Sequence, residues 1–205
     1  RNLARFNMRQ AANFNNAYKS ASVDWLAKLD VDEFLLPNES VTETLCNVAD
    51  DIAFLKLTPV EQLAPINGDD ADQFRYPASY GTFRSRTRDK LYPQFGTHLP
   101  ELFLGPADPR LFVRTGLQRV RAGGFALKYK KKPATNSGVP DDLVVGHCHA
   151  PSWQEFRSSL PRRLNYGYGR RDDDGRSVSD IISALDLSDD SDELQQFFTE
   201  VATAR

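Results

Sequence analysis

The apolar residues Leu3, Phe6, Phe14, Ala17, Tyr18 and Ala21 recur largely at helical intervals among polar neighbours. This predicts an amphipathic helix over residues 3–21. The period then shortens. In "DWLAKLD", residues 24–30, Leu26 and Lys28 fall on one side and Trp25, Ala27 and Leu29 on the other, the alternation of a strand. After Pro37, Ser40-Val-Thr-Glu43 has the form of a capping box, so a helix is expected to about residue 48. "IAFLKLT", residues 52–58, reads as a second strand. Between Pro59 and Pro109 prolines, glycines and "NGDDAD" predict loops with short strands.

Further on, "RLFVRTG" and "GFALKYKKK" read as strands, "PATNSGVP" as a loop, and "DLVVGHCH" as a strand delivering His147 and His149 at its end. Ser152 is placed to cap a helix through "WQEFRSSLPRRLNYGYG", which Pro161 is expected to kink or interrupt. Two helical patterns close the chain, around 178–186 and 191–202. No internal repeat is visible. Strands alternating with helices early, and irregular pieces later, favour an α/β class.

The chain has 205 residues, 40% of them hydrophobic, enough for one domain or a domain with a small appendage. The expected division is a catalytic-type domain over 1–169 and a helical arm over 170–205. A net charge of −2 gives no whole-molecule attraction to nucleic acid or anionic lipid, so polyanion binding has to be local. The basic clusters are "KYKKK" and "RSRTRDK". Two cysteines, Cys46 and Cys148, are too few for a disulfide framework and read as reduced thiols in an intracellular setting. No run approaches the ~18 apolar residues of a membrane span, and no secretory signal is visible. Because Arg1 opens directly inside a helical pattern, a segment upstream is expected.

The chemistry concentrates in "DWLAKLDVDEFLLP", where Asp30, Asp32 and Glu33 end an apolar run. Charge at the edge of a core is costly unless something answers it. In an extended strand end, residues i and i+2 project together, so Asp30 and Asp32 would present oxygens about 6–7 Å apart at their backbones. Such a pair suits a hard divalent cation whose shell a diphosphate completes. By the same alternation His147 and His149 point together, and imidazole is acceptable to manganese. Plainer roles stand beside these: a solvated D-x-D, a Glu33 that caps or pairs with a nearby arginine, and one buried and one solvated histidine.

These residues carry a resemblance. "VDWLAKLDVDEFLLP" resembles the W-x-x-x-x-D-x-D-E-F-L segment of a branch of family 2 glycosyltransferases, itself similar to family 92. "RLFVRTGL" is similar to that branch's F-V-R-T-G strand, and "GHCHAPSWQEFRSSLPRRLNYGYG" to its histidine strand and following helix. The three occur in the family's order, within residues 9–169.

The resemblance implies an A-type glycosyltransferase fold, a mixed sheet flanked by helices, and a metal-dependent hexosyl transfer from a nucleotide-diphosphate sugar to a glycan or other hydroxyl acceptor, as in polysaccharide biosynthesis, with inversion. It assigns Asp30 and Asp32 to a Mn2+ or Mg2+ ion and donor, His147 to the same metal with His149 as a second possibility, and Arg9 and Asn13 to the nucleotide. An acceptor-activating carboxylate is expected in the middle region, at Glu61 or Glu101, with Asp69, Asp70 and Asp72 as alternatives. Arg84, Arg86, Arg88 and Lys90 are candidates to assist the diphosphate or an acidic acceptor. The family's opening strand and Asn/Asp-rich loop do not precede Arg1, and Pro106 and Pro109 stand where relatives often carry His and Gly.

The implied partners are the sugar donor and its acceptor, with no nucleic acid and no transmembrane segment, in a cytoplasmic setting that includes the membrane periphery. Two other readings remain at this level. One is a D-x-D phosphohydrolase, against which Phe34 occupies the fifth motif position. The other is a catalytically incomplete transferase-like domain that binds carbohydrate or protein.

Overall fold

The computed structural model describes residues 2–65, 73–77, 85–99, 102–105, 107–123, 126–129, 132–133, 136–166, 178–187 and 191–204. It is a mixed α/β protein. In chain order the elements are α1 (Asn2–Ser20), β1 (Trp25–Lys28), β2 (Glu33–Pro37), α2 (Val41–Cys46), β3 (Phe54–Leu63), β4 (Gln73–Arg75), α3 (Ser85–Leu91), β5 (Arg110–Arg114), β6 (Val120–Gly123), β7 (Ala126–Tyr129), β8 (Lys132–Pro133), β9 (Ser137–Gly138), β10 (Leu143–His147), α4 (Trp153–Tyr166), α5 (Val178–Leu187) and α6 (Ser191–Ala202). The chain forms two compact units, one from residues 1–58 and 109–145, the other from 59–108 and 146–205. They interleave along the sequence, and the helices expected as an arm, α5 and α6, belong to the same unit as α4.

The first unit is built on a sheet with strand order β1-β5-β3-β10-β2, where β5 runs antiparallel to both β1 and β3 while β9 pairs parallel with β3. Alternation along β3 sends Phe54 to one side and Leu55 and Leu57 to the other. Phe54 joins Phe14, Ala53 and Val113 under α1, and Leu55 and Leu57 join Phe112, Leu143 and Val145 in a second cluster. Each fully buried side chain of this kind contributes roughly 1.5–3 kcal/mol relative to exposure. The capping box at α2 is real: Glu43 N donates to Ser40 Oγ at 3.0 Å. A separate ribbon, β6-β7-β8, rests on α1 through Val120.

Among the described residues the second unit collects fifteen buried apolar residues, including Phe156, Leu160, Ile182, Leu194 and Phe197, all from α4, α5, α6 and the 102–104 segment except Ala64, Leu99 and Ala150. Phe95 meets Phe197 edge-on with centroids 5.2 Å apart. β4 pairs antiparallel with the far end of β3, Glu61 opposite Arg75. The expectation of a loop directly after Pro59 is corrected, since β3 continues to Leu63. Pro59 falls between the stretch paired to β5 and the stretch paired to β4.

Of the kink or interruption expected at Pro161, the interruption does not occur, and α4 is one helix from Trp153 to Tyr166. Pro161 is exposed, while Phe156 and Leu160 before it and Leu164 after it are held in the core. That burial outweighs the ~3 kcal/mol a proline costs a helix interior.

Candidate functional site

The acidic segment in the first unit is a turn. β1 stops at Lys28, residues 31 and 32 turn, and β2 starts at Glu33. The extended geometry expected for Asp30 and Asp32 is therefore corrected. Glu33 N donates to Asp30 O at 3.2 Å, and Asp30 N donates to Glu33 Oε2 at 2.9 Å, so the last acid of the motif closes the turn that carries the first two. Glu33 is buried, its side chain 1% exposed, and Arg110 answers it: Nε donates to Oε1 at 2.6 Å and Nη2 lies 2.5 Å from the same oxygen. Arg110 Nη2 also stands 3.7 Å from Asp30 Oδ2, although that carboxylate is half exposed.

The three acids thus separate by role. Glu33, with a guanidinium beside it, is an anchor that fixes the turn to β5. Asp30 is exposed and Asp32 half-buried. One arginine faces two carboxylates, which leaves the turn locally anionic and open to a cation. Val31 between the two aspartates is fully exposed, and Phe34 is 55% exposed. The plain alternative for Glu33, pairing with an arginine, is what the structure contains.

The histidines lie in the second unit. His147 ends β10, and both it and His149 are buried, at 6% and 5% exposure. Their rings meet edge to face with centroids 4.8 Å apart. Arg163 on α4 clasps His149: Nη1 lies 2.6 Å from Nδ1 and 2.8 Å from Nε2, and Nη2 donates to the backbone oxygen at 2.5 Å. A guanidinium has only donors, so the ring nitrogen that meets it accepts. Gly105 presses on the pair from another side. A Cβ there would stand 2.9 Å from His147 Cε1, 3.0 Å from His147 Nδ1 and 3.3 Å from His149 Nδ1. Only a residue without a side chain fits this approach.

Gly105 is held in turn by Glu61. The Glu61 carboxylate, 1% exposed, accepts from Gly105 N at 2.8 Å, from Leu104 N at 3.0 Å and from Arg75 Nη2 at 2.5 Å. Arg75 also donates to Tyr92 Oη at 3.0 Å and to Val201 O at 2.8 Å. Burial by itself lowers the Arg75 pKa, yet the Glu61 charge and Tyr92 outweigh it and hold the guanidinium above its ordinary value. Leu102, where the segment turns toward Gly105, has φ of 62° and is 4% exposed, a left-handed leucine kept in place by its burial.

The other expected residues are distributed as follows. Arg9 and Asn13 are exposed on α1, whose buried side carries Phe14. Glu61 is a fully engaged strut. Arg88 pairs with its neighbour Asp89 at 3.0 Å, and Lys90 is exposed. Glu101, Asp69, Asp70, Asp72, Arg84 and Pro106 lie outside the described residues. Sequence reading missed Arg110, Arg163, Gly105 and Arg75, which act on residues 14 to 77 positions away along the chain. No local pattern announces such partners.

No protein-family model, curated protein or solved structure matches this chain.

Proposed function

We propose that the chain is a metal-dependent glycosyltransferase of the A-type fold, moving a sugar from a nucleotide-diphosphate donor to a glycan or other hydroxyl acceptor. The observation that carries the reading is the acid turn. Its third carboxylate is buried against Arg110 and closes the turn, which holds the half-exposed Asp30 on a fixed loop. A merely solvated D-x-D needs no such mount.

The donor set suits the ion. Asp30 and Asp32 offer the hard oxygens that manganese or magnesium takes. In the second unit Arg163 already lies against both ring nitrogens of His149, which leaves His147 the better candidate ligand there. When bound, the ion would offset the charge that grows on the leaving diphosphate. The chain's own residues supply position: Glu33 and Arg110 hold the acids, while Gly105 and Arg163 hold the imidazoles. Because the oxygens of Glu61 are taken up by Arg75, Leu104 and Gly105, the role of base for the acceptor's proton falls to Glu101.

The test is calorimetric titration of the protein with MnCl2 and UDP, together and separately, followed by an assay of UDP-sugar turnover. UDP should bind only with metal present, and Asp30→Asn and Asp32→Asn should each abolish that binding with the fold retained. Metal-independent UDP binding, or none at all, would sink the reading. Turnover of simple phosphate esters in place of UDP-sugars would move the assignment to a phosphohydrolase.

A further inference from the structure

The guanidinium of Arg110 is divided unevenly between two carboxylates. In the register, β1 ends with Lys28 opposite Leu111, so Arg110 opens β5 level with the point where the chain leaves β1 for the acid turn. Nε and Nη2 both meet the same oxygen of Glu33, Oε1, at 2.6 and 2.5 Å, while Oε2 accepts from Asp30 N at 2.9 Å. The arginine fork is therefore not closed on one carboxylate, and Nη2 also faces Asp30 Oδ2 at 3.7 Å.

That separation is too long for a hydrogen bond, so Arg110 acts on Asp30 through charge. The Asp30 side chain is half exposed, and such a contact holds weakly. An arginine needed only to neutralise Glu33 has no reason to lie beside the exposed acid as well. Arg75, which neutralises Glu61, turns its remaining donors to Tyr92 and Val201 instead. For a divalent cation the difference matters. A fixed positive charge a few ångströms away in a water-like medium weakens the hold on such an ion by a factor on the order of ten. A diphosphate reverses the sign of the effect, because its oxygens attract the guanidinium and the cation together. The planar donors of arginine fit phosphoryl oxygens as well as they fit a carboxylate.

We infer that Arg110 makes cation binding at the acid turn conditional on a nucleoside diphosphate: its charge weakens the turn's hold on a divalent cation alone and strengthens it when the diphosphate is present. The inference rests on the sugar-transfer reading and adds the regulation of the same site. Without a donor, Arg110 leaves Asp30 a poor cation ligand. With a donor, Arg110 keeps its contact with Glu33 and its charge favours the diphosphate beside Asp30. The turn thus selects the cation–diphosphate complex over the free ion, which would neutralise the acids without bringing a sugar.

The experiment is calorimetric titration of the whole chain with MnCl2, alone and in saturating UDP, read as the ratio of the two Mn2+ dissociation constants. In the unaltered protein UDP should tighten Mn2+ binding at least about a hundredfold. In Arg110→Gln, Mn2+ alone should bind about tenfold more tightly and the ratio should fall about tenfold or more, while Arg110→Lys, which keeps the charge, should stay near the original ratio. A role confined to supporting the fold gives the opposite sign, weaker Mn2+ binding in Arg110→Gln. Because that variant uncovers the buried Glu33, the pair Arg110→Gln with Glu33→Gln is measured beside it; it leaves no uncompensated buried charge, and its ratio should fall about tenfold as well. An undiminished ratio in the double variant would overturn the inference and leave the sugar-transfer reading standing. Absence of UDP-dependent Mn2+ binding in the unaltered protein would overturn both.

Discussion

Each unit has a buried glutamate paired with an arginine, Glu33 with Arg110 and Glu61 with Arg75, and the two pairs are built to opposite ends. Glu61 is saturated: Arg75 and the amides of Leu104 and Gly105 take up its oxygens, and Arg75 is itself tied to Tyr92 and Val201. Glu33 shares its arginine with an exposed Asp30, and its other oxygen holds a turn that faces solvent. The first arrangement is closed and neutral, suited to bearing a segment. The second keeps excess negative charge at the surface, suited to presenting a site. Identical residue types therefore carry different meanings, and what distinguishes them is whether the network ends inside the protein or at water.

The comparison breaks most visibly at Glu61. Glu61→Ala should cost about 3–5 kcal/mol in urea denaturation, because it strands the Arg75 guanidinium in the core. Since Arg75 is held above its ordinary pKa, its share of that stability is fully present below the arginine range and fades only as pH rises through it. The loss in Glu61→Ala should therefore be the same at about pH 6 and about pH 9. Arg110→Met should cost less, about 2–3 kcal/mol, since the uncovered Glu33 lies next to a solvent-facing turn and can be rehydrated. An equal or larger loss at Arg110 would erase the distinction between strut and mount. Gly105→Ala should cost about 1–3 kcal/mol through its clash with His147, and it should displace the imidazole resonances of both histidines in NMR spectra. Asp30→Asn should leave stability within about 0.5 kcal/mol, and a large loss there would show that the exposed acid is structural.

Much of the framework was legible because it rests on local rules. The spacing of Phe14 and Tyr18, the capping boxes at Ser40 and Ser152 and the alternation in β3 and β10 each act within a few residues. The site was legible only in composition. The sequence shows three acids together and two histidines together, but not that residues 31 and 32 turn, nor that Glu33 reaches Arg110 across 77 positions. Pro161 misled for a related reason: its local penalty was visible, whereas the burial of Phe156 and Leu160 that offsets it depends on α5 and α6. Glu61 read as an available base because nothing beside it in the chain reveals Arg75 or Gly105 as its partners.

Tyr18 carries one more consequence. Its hydroxyl donates to Arg114 O at 2.8 Å and accepts from Leu117 N at 3.1 Å. The amide of a residue between two strands is thus protected by a side chain from α1, and its proton can exchange with solvent only when that helix lifts away. A single backbone proton at position 117 therefore keeps time for the opening of the first helix.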